Sequence, residues 1–130
     1  LLQFDKALGE FSRAIALDQE YFTAYMNRGV IYGQTGAIDK ALEDLNRAIS
    51  INPKFAEAFS NRGIVQALSG RTENALDDFS KALALNPNLA EAYNNRAKVY
   101  WKTGQRDFAR VDFLKACNLG YEQGCRALQE

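Results

Sequence analysis

Apolar residues recur at helical spacing along the whole chain. In four places an alanine, a larger apolar residue and a second alanine fall at i, i+4 and i+7. These are Ala7, Phe11 and Ala14; Ala41, Leu45 and Ala48; Ala75, Phe79 and Ala82; and Ala109, Phe113 and Ala116. Such spacing lays one apolar stripe along a helix. Between the stripes lie segments of a second kind, in which an aromatic residue (Tyr25, Phe59, Tyr93) precedes a small one (Gly29, Gly63, Ala97) by four positions. A small residue there lets a neighbouring helix come close. No strand pattern competes.

Both kinds of segment return every 34 residues, most visibly as Tyr25-x-Asn27-Arg28-Gly29, Phe59-x-Asn61-Arg62-Gly63 and Tyr93-x-Asn95-Arg96-Ala97. Gly36, Gly70 and Gly104 separate the two halves of each unit, where a helix should end. Asn52-Pro53 and Asn86-Pro87 separate successive units, where Asn can cap a helix and Pro can open one. The pattern predicts helix–turn–helix units with helices of about 14 residues, each ~20 Å long. Full units span 22–55, 56–89 and 90–123. Residues 1–21 match the second half of a unit, so the chain reads as a piece of something longer. Residues 124–130 form a tail, and a covering helix is expected to begin within 121–128, shielding the last apolar face with Tyr121, Cys125 and Leu128. A period of this length marks stacked repeats. The fold class is therefore all-α, an α-solenoid of stacked antiparallel helix pairs forming one domain over 1–130.

These residues resemble the tetratricopeptide repeat, whose pattern runs aromatic, Leu-Gly, Tyr, Ala, aromatic and Pro. Unit 22–55 offers Tyr25, Gly29, Tyr32, Ala41, Leu45 and Pro53; unit 56–89 offers Phe59, Gly63, Ala75, Phe79 and Pro87. Unit 90–123 offers Tyr93, Tyr100, Ala109 and Phe113. The resemblance covers essentially the whole chain and implies a right-handed superhelix. It also implies a concave face lined by the first helix of each unit. Three departures stand out. Arg28, Arg62 and Arg96 replace the leucine, Gln66 replaces the second aromatic, and Gly120-Tyr121 stands where the last unit should have its proline. An atypical last repeat is expected of one that caps a stack.

Each departing arginine has an aspartate sixteen residues on: Arg28 with Asp44, Arg62 with Asp78, Arg96 with Asp112. In a helix pair folded about the intervening glycine, the two positions lie at nearly one height. The spacing predicts an Arg–Asp bridge in every unit, with the arginine stem packed on apolar neighbours. The alternative is a solvated pair worth ~0–1 kcal/mol.

The resemblance places ten candidate binding residues on the groove. Asn27, Asn61 and Asn95 form a ladder of amides, each able to donate to and accept from the backbone of an extended peptide. In some glycosyltransferases of this family such asparagines hold bound peptide. Met26, Val30, Ile64 and Leu68 make the first two thirds of the groove apolar, with Ser60 and Asn94 on the same face. Lys98, Trp101 and Lys102 mark its far end, Trp101 being either an interface anchor or a contact for the tail helix. The lysine and arginine clamp of heat-shock co-chaperones is not matched, since Met26, Val30, Glu57, Ile64 and Glu91 occupy its places.

Composition narrows the function classes. Net charge is zero, which gives no global attraction to nucleic acid or an anionic membrane, and neither nucleic acid nor membrane insertion is expected. Residues 90–123 carry six basic and four acidic side chains, whereas 1–21 carry two and four, a contrast that weakly favours self-association. The chain has no histidine, no phosphate-binding glycine loop and no registered carboxylate cluster, so neither enzyme activity nor a cofactor or metal is expected. The start lacks the basic region and apolar stretch of a signal peptide, and localisation is not assigned from it. Cys117 and Cys125 flank the Gly120 turn. Buried free thiols packing the last turn are the expectation, with a disulfide the alternative in an exported protein.

The leading expectation is a non-enzymatic protein–protein interaction scaffold that binds an extended or helical peptide segment in its concave groove. The alternative is a homo-oligomeric assembly module. Its sticky edge would be the half unit at the start, where Leu1, Leu2, Phe4 and Phe11 lack a covering helix.

Overall fold

The computed structural model describes residues 2–130, with side chains from Gln3 onward. Among the described residues the order is α1 (Leu2–Leu17), α2 (Phe22–Gln34), α3 (Ile38–Ile51), α4 (Ala56–Leu68), α5 (Thr72–Leu85), α6 (Ala90–Lys102), α7 (Arg106–Asn118) and α8 (Glu122–Ala127), with no strand. Helices α2 to α7 contain 13 or 14 residues, as the apolar spacing requires.

The turns inside each pair rest on the predicted glycines. Gly36, Gly70 and Gly104 have φ of 84°, 81° and 82°, a region open to glycine at little cost. Around Gly36, the Gly36 N–H donates to the Gly33 carbonyl and the Ala37 N–H to the Tyr32 carbonyl. This paired closure satisfies two carbonyls that the helix end would otherwise leave unpaired. The turns between units differ from expectation. Asn52 and Asn86 end α3 and α5 rather than starting the next helix, and the prolines sit in the turn. The Asn52 and Asn86 side chains accept from the backbone N–H of Lys54 and Asn88, and the Phe55 and Leu89 N–H groups return to the Asn52 and Asn86 carbonyls. Asn followed by Pro suits this β-turn because the side chain closes it and the ring presets its second residue. Helices α2 to α8 have no side-chain N-cap, so packing carries their stability.

The core is a string of small clusters rather than one centre. Met26, Ala41, Leu45, Ala48, Ala58 and Val65 form the first; Ala75, Phe79 and Val99, then Ala97, Ala109 and Phe113, continue it. Each helix packs on its neighbours in sequence, while α2 also touches α4 and α4 touches α6. No comparable contact joins α3 to α5 or α5 to α7. The first helices are therefore the closer-packed set, and they line the inner side of the curve. Glycine permits the tight pairing: a Cβ on Gly63 would lie 2.8 Å from Cε1 of Phe79, and one on Gly29 2.9 Å from Cγ of Leu45.

All three predicted Arg–Asp bridges form, and each is bidentate. Nε of Arg28, Arg62 and Arg96 lies 2.7 Å from Oδ2 of Asp44, Asp78 and Asp112. The matching Nη2···Oδ1 distances are 2.7, 2.8 and 2.9 Å. The carboxylates are buried, with side-chain exposures of 6%, 3% and 5%. Nη1 of each guanidinium donates to a third helix, reaching Ser12, Asn46 and Ser80 of the preceding unit at 3.1, 2.9 and 3.1 Å. Arg28 also faces the rings of Tyr25 and Tyr32 at 5.9 and 5.8 Å, and Arg96 those of Tyr93 and Tyr100. Arg62 faces Phe59, Gln66 occupying the second ring's place. Hydrogen bonding to Asp44 and Asp112 holds Arg28 and Arg96 above the usual arginine pKa, against the opposing effect of burial. A raised basic pKa stabilises below the unfolded value and fails only above it, so these charges persist at every ordinary pH.

The far end corrects the expectation of free thiols, because Cys117 and Cys125 form a disulfide that ties α8 to α7. The two helices are joined by the type of glycine closure otherwise used inside units. The Gly120 N–H donates to the Cys117 carbonyl, and the Tyr121 N–H to the Ala116 carbonyl. Gly124 lets α8 lie against α7, since a Cβ there would meet the Phe113 carbonyl oxygen at 2.7 Å. Leu1 and Leu2 of the proposed uncovered edge lie outside the described side chains.

Replacing Arg62 by Ala should cost about 3 kcal/mol or more in urea denaturation, because it strands the buried Asp78 carboxylate. A loss below about 1 kcal/mol would return the pair to the class of solvated surface bridges. The disulfide predicts that, in denaturant, iodoacetamide modifies neither cysteine before reduction and both after it. With its cysteines at a sequence separation of 8, changing both to Ser should cost about 2–3 kcal/mol in stability of the α7–α8 end.

Candidate protein-interaction groove

Along α4 and α6 every turn brings one residue to the inner face, so the groove wall is set by helical register. A cavity of about 560 Å³ lies at the C-terminal ends of these two helices. Ile64 and Leu68 supply one side, and Asn95, Lys98, Trp101 and Lys102 the other. Below them lie the buried side chains of Phe79, Val99 and Phe113, while Ala127 and Glu130 of the tail close the end. The structure thus brings together six of the ten residues singled out from sequence. Leu68 and Trp101 are exposed, at 66% and 37%. The Arg106 guanidinium lies 4.8 Å from the centroid of the Trp101 ring, a cation–π contact.

A smaller space of about 280 Å³ lies toward the N-terminal ends of the same helices, lined by Glu57, Ser60, Asn61, Leu89 and Glu91. Asn61 belongs here and Asn95 to the larger cavity, while Asn27 is exposed outside both. Val30 is half-buried on α2.

Met26 requires correction. It is 7% exposed and packed with Ala58 and Val65 of the next unit, so it holds the stack together instead of lining an open groove. The residues at the same place in later units, Ser60 and Asn94, are also buried, at 5% and 1%. The N-terminal end of the groove is accordingly more acidic and less apolar than the sequence suggested, with Glu57 and Glu91 lining it.

Three amide side chains, those of Gln66, Asn94 and Asn95, have unpartnered atoms. Both side-chain polar atoms of Asn94 are buried without a hydrogen-bond partner, as is Nδ2 of Asn95. Buried polar groups are usually paired. Asn95 differs from Asn94 in lining the cavity. Among the described residues, no helix is long and apolar enough to cross a membrane, and no group of His, Cys, Asp and Glu side chains is gathered to hold a metal.

Comparison with known proteins agrees with the repeat geometry. Sequence profiles described as "TPR repeat" match residues 3–36 and 67–104, and profiles described as "Tetratricopeptide repeat" match 22–55 and 90–119. No curated protein sequence matches the chain. Among solved structures, a crystal structure of MamA is similar with a TM-score of 0.84 and 23% identity, over 96% of this chain and 74% of that one. MamA 41-end from Desulfovibrio magneticus RS-1 gives 0.81 and 19%, over 93% and 68%. MamA AMB-1 gives 0.74 and 26%, over 88% and 68%. At these identities the similarity speaks to fold, an all-helical repeat solenoid of the kind that serves as a protein-interaction scaffold. With repeat matches running from residue 3 to residue 119, the chain belongs to the tetratricopeptide repeat family.

Proposed function

We propose that the chain is a non-enzymatic scaffold that binds an extended or helical peptide segment in its concave groove. The observation that carries this reading is the 560 Å³ cavity on the inner face, in which six candidate residues converge. Its walls combine a hydrophobic floor with a few polar groups, the composition expected of a binding site. Ile64, Leu68 and Trp101 supply apolar contact, and Asn61 and Asn95 supply amides for a peptide backbone. Asn27 and Val30 extend the same face onto α2. Because the arginine bridges hold the helix pairs in place, the groove is organised before ligand arrives, which reduces the entropy lost on binding.

A second reading is homo-oligomeric assembly through α1. On α1, Leu17 is 90% exposed and Phe4 36%. Exposed apolar side chains on one helix suit self-association.

The groove reading predicts that Asn61→Ala combined with Ile64→Glu abolishes co-purification of the chain's protein partner while leaving the helical circular dichroism spectrum unchanged. Full retention of the partner would place its site elsewhere. The assembly reading predicts a concentration-dependent rise in mass by analytical ultracentrifugation, reversed by Leu17→Glu. A monomer at every concentration would remove it.

A further inference from the structure

The larger cavity is unbalanced in its hydrogen-bonding groups. Asn95 presents a buried Nδ2 with no acceptor, and Lys98 and Lys102 lie one helical turn apart on the same face of α6. Among the described residues neither lysine joins an ion pair. Thr103, also at the rim, already directs its hydroxyl to the Val99 and Tyr100 carbonyls. The one acidic side chain lining this cavity, Glu130, is exposed. The site therefore offers donors and positive charge in excess and needs a ligand that brings acceptors.

The other end of the same groove has the opposite sign. Glu57 and Glu91 line the smaller space, each in the first turn of its helix. Acidic first turns and basic last turns complement helix dipoles. Dipoles do not require them here, because α2 has neither an acidic first turn nor a basic last turn. Of the two helices that border the cavities, α6 runs from Glu91 to Lys102, whereas α4 has an acidic first turn and no basic last turn.

Resting on the groove reading above, we propose that the preferred ligand is a peptide with a large apolar side chain followed directly by carboxylate side chains. The apolar side chain occupies the space over Phe79, Val99 and Phe113 beside Trp101. The carboxylates meet Lys98 and Lys102. A peptide acidic along its whole length is disfavoured, since its remaining carboxylates would lie over Glu57 and Glu91. The acidity must sit on one side of the apolar anchor.

Trp101 is the chain's single tryptophan, so its emission reports occupancy of this cavity directly. Three synthetic peptides share a Leu-Ser-Ser-Phe core followed by a pair of Glu, Gln or Lys residues, and are titrated at low salt to about 1 mM. The Glu peptide is expected to shift Trp101 emission with affinity about tenfold or more above the Gln peptide, and the Lys peptide to give no shift. Changing Lys98 and Lys102 together to Gln should lower the Glu peptide to the level of the Gln peptide and leave the latter unchanged. Equal affinity for the Glu and Gln peptides would overturn the carboxylate preference while leaving the groove reading intact. The absence of a shift with every peptide would also overturn it. Failure of the groove reading itself shows separately, as a partner retained by the Asn61→Ala, Ile64→Glu protein.

Discussion

The arginine at the leucine position is the contact on which the rest of the stack depends. Each guanidinium joins three helices: its own, the second helix of its own unit, and the second helix of the unit before. Arg62, for example, sits on α4 and reaches Asp78 on α5 and Asn46 on α3. A leucine there would supply apolar area without direction. The arginine supplies direction as well, because a planar fork fits a carboxylate in one geometry. Its bridges repeat with the period of the chain, so the angle between helix pairs is set in the same way at each step.

That constraint frees the inner face. Stability rests on positions that recur, namely the alanines of the second helices, the small residues at 29, 63 and 97, and the Arg–Asp pairs. The inner-face positions of α4 and α6 are relieved of this work, and there the units diverge. Ile64 matches Lys98 by register, and Ala67 matches Trp101. A repeat stack of this kind can change its partner by altering the inner face without altering its fold.

Much of this was legible in sequence, because the period made each observation three times over. The helix pairs, the turns at glycine and the Arg–Asp bridges followed from spacing alone. The third partner of each arginine did not, since Ser12, Asn46 and Ser80 vary in type and lie one unit back. Met26 misled for a related reason: its face is inner within one unit, but Ala58 and Val65 of the next close over it. The missing proline near Gly120 was visible, yet its consequence was not. A glycine closure in place of an Asn-Pro turn leaves three residues between α7 and α8, where four separate α5 from α6. It brings Cys125 over Cys117, which the repeat register could not show. The cavity itself is only half visible in sequence: Lys98, Trp101 and Lys102 stand out as exceptions, but Phe79 and Phe113 of its floor read simply as parts of apolar stripes.

If the arginines fix the stack, removing one should loosen three helices and not one pair. Amide hydrogen exchange of the Arg62→Ala protein tests this most directly. The account predicts faster exchange in α3, α4 and α5 together, with α7 and α8 unchanged. Loss of protection confined to α4 and α5, with α3 as slow as before, would show that the arginine serves only its own unit and would contradict the account.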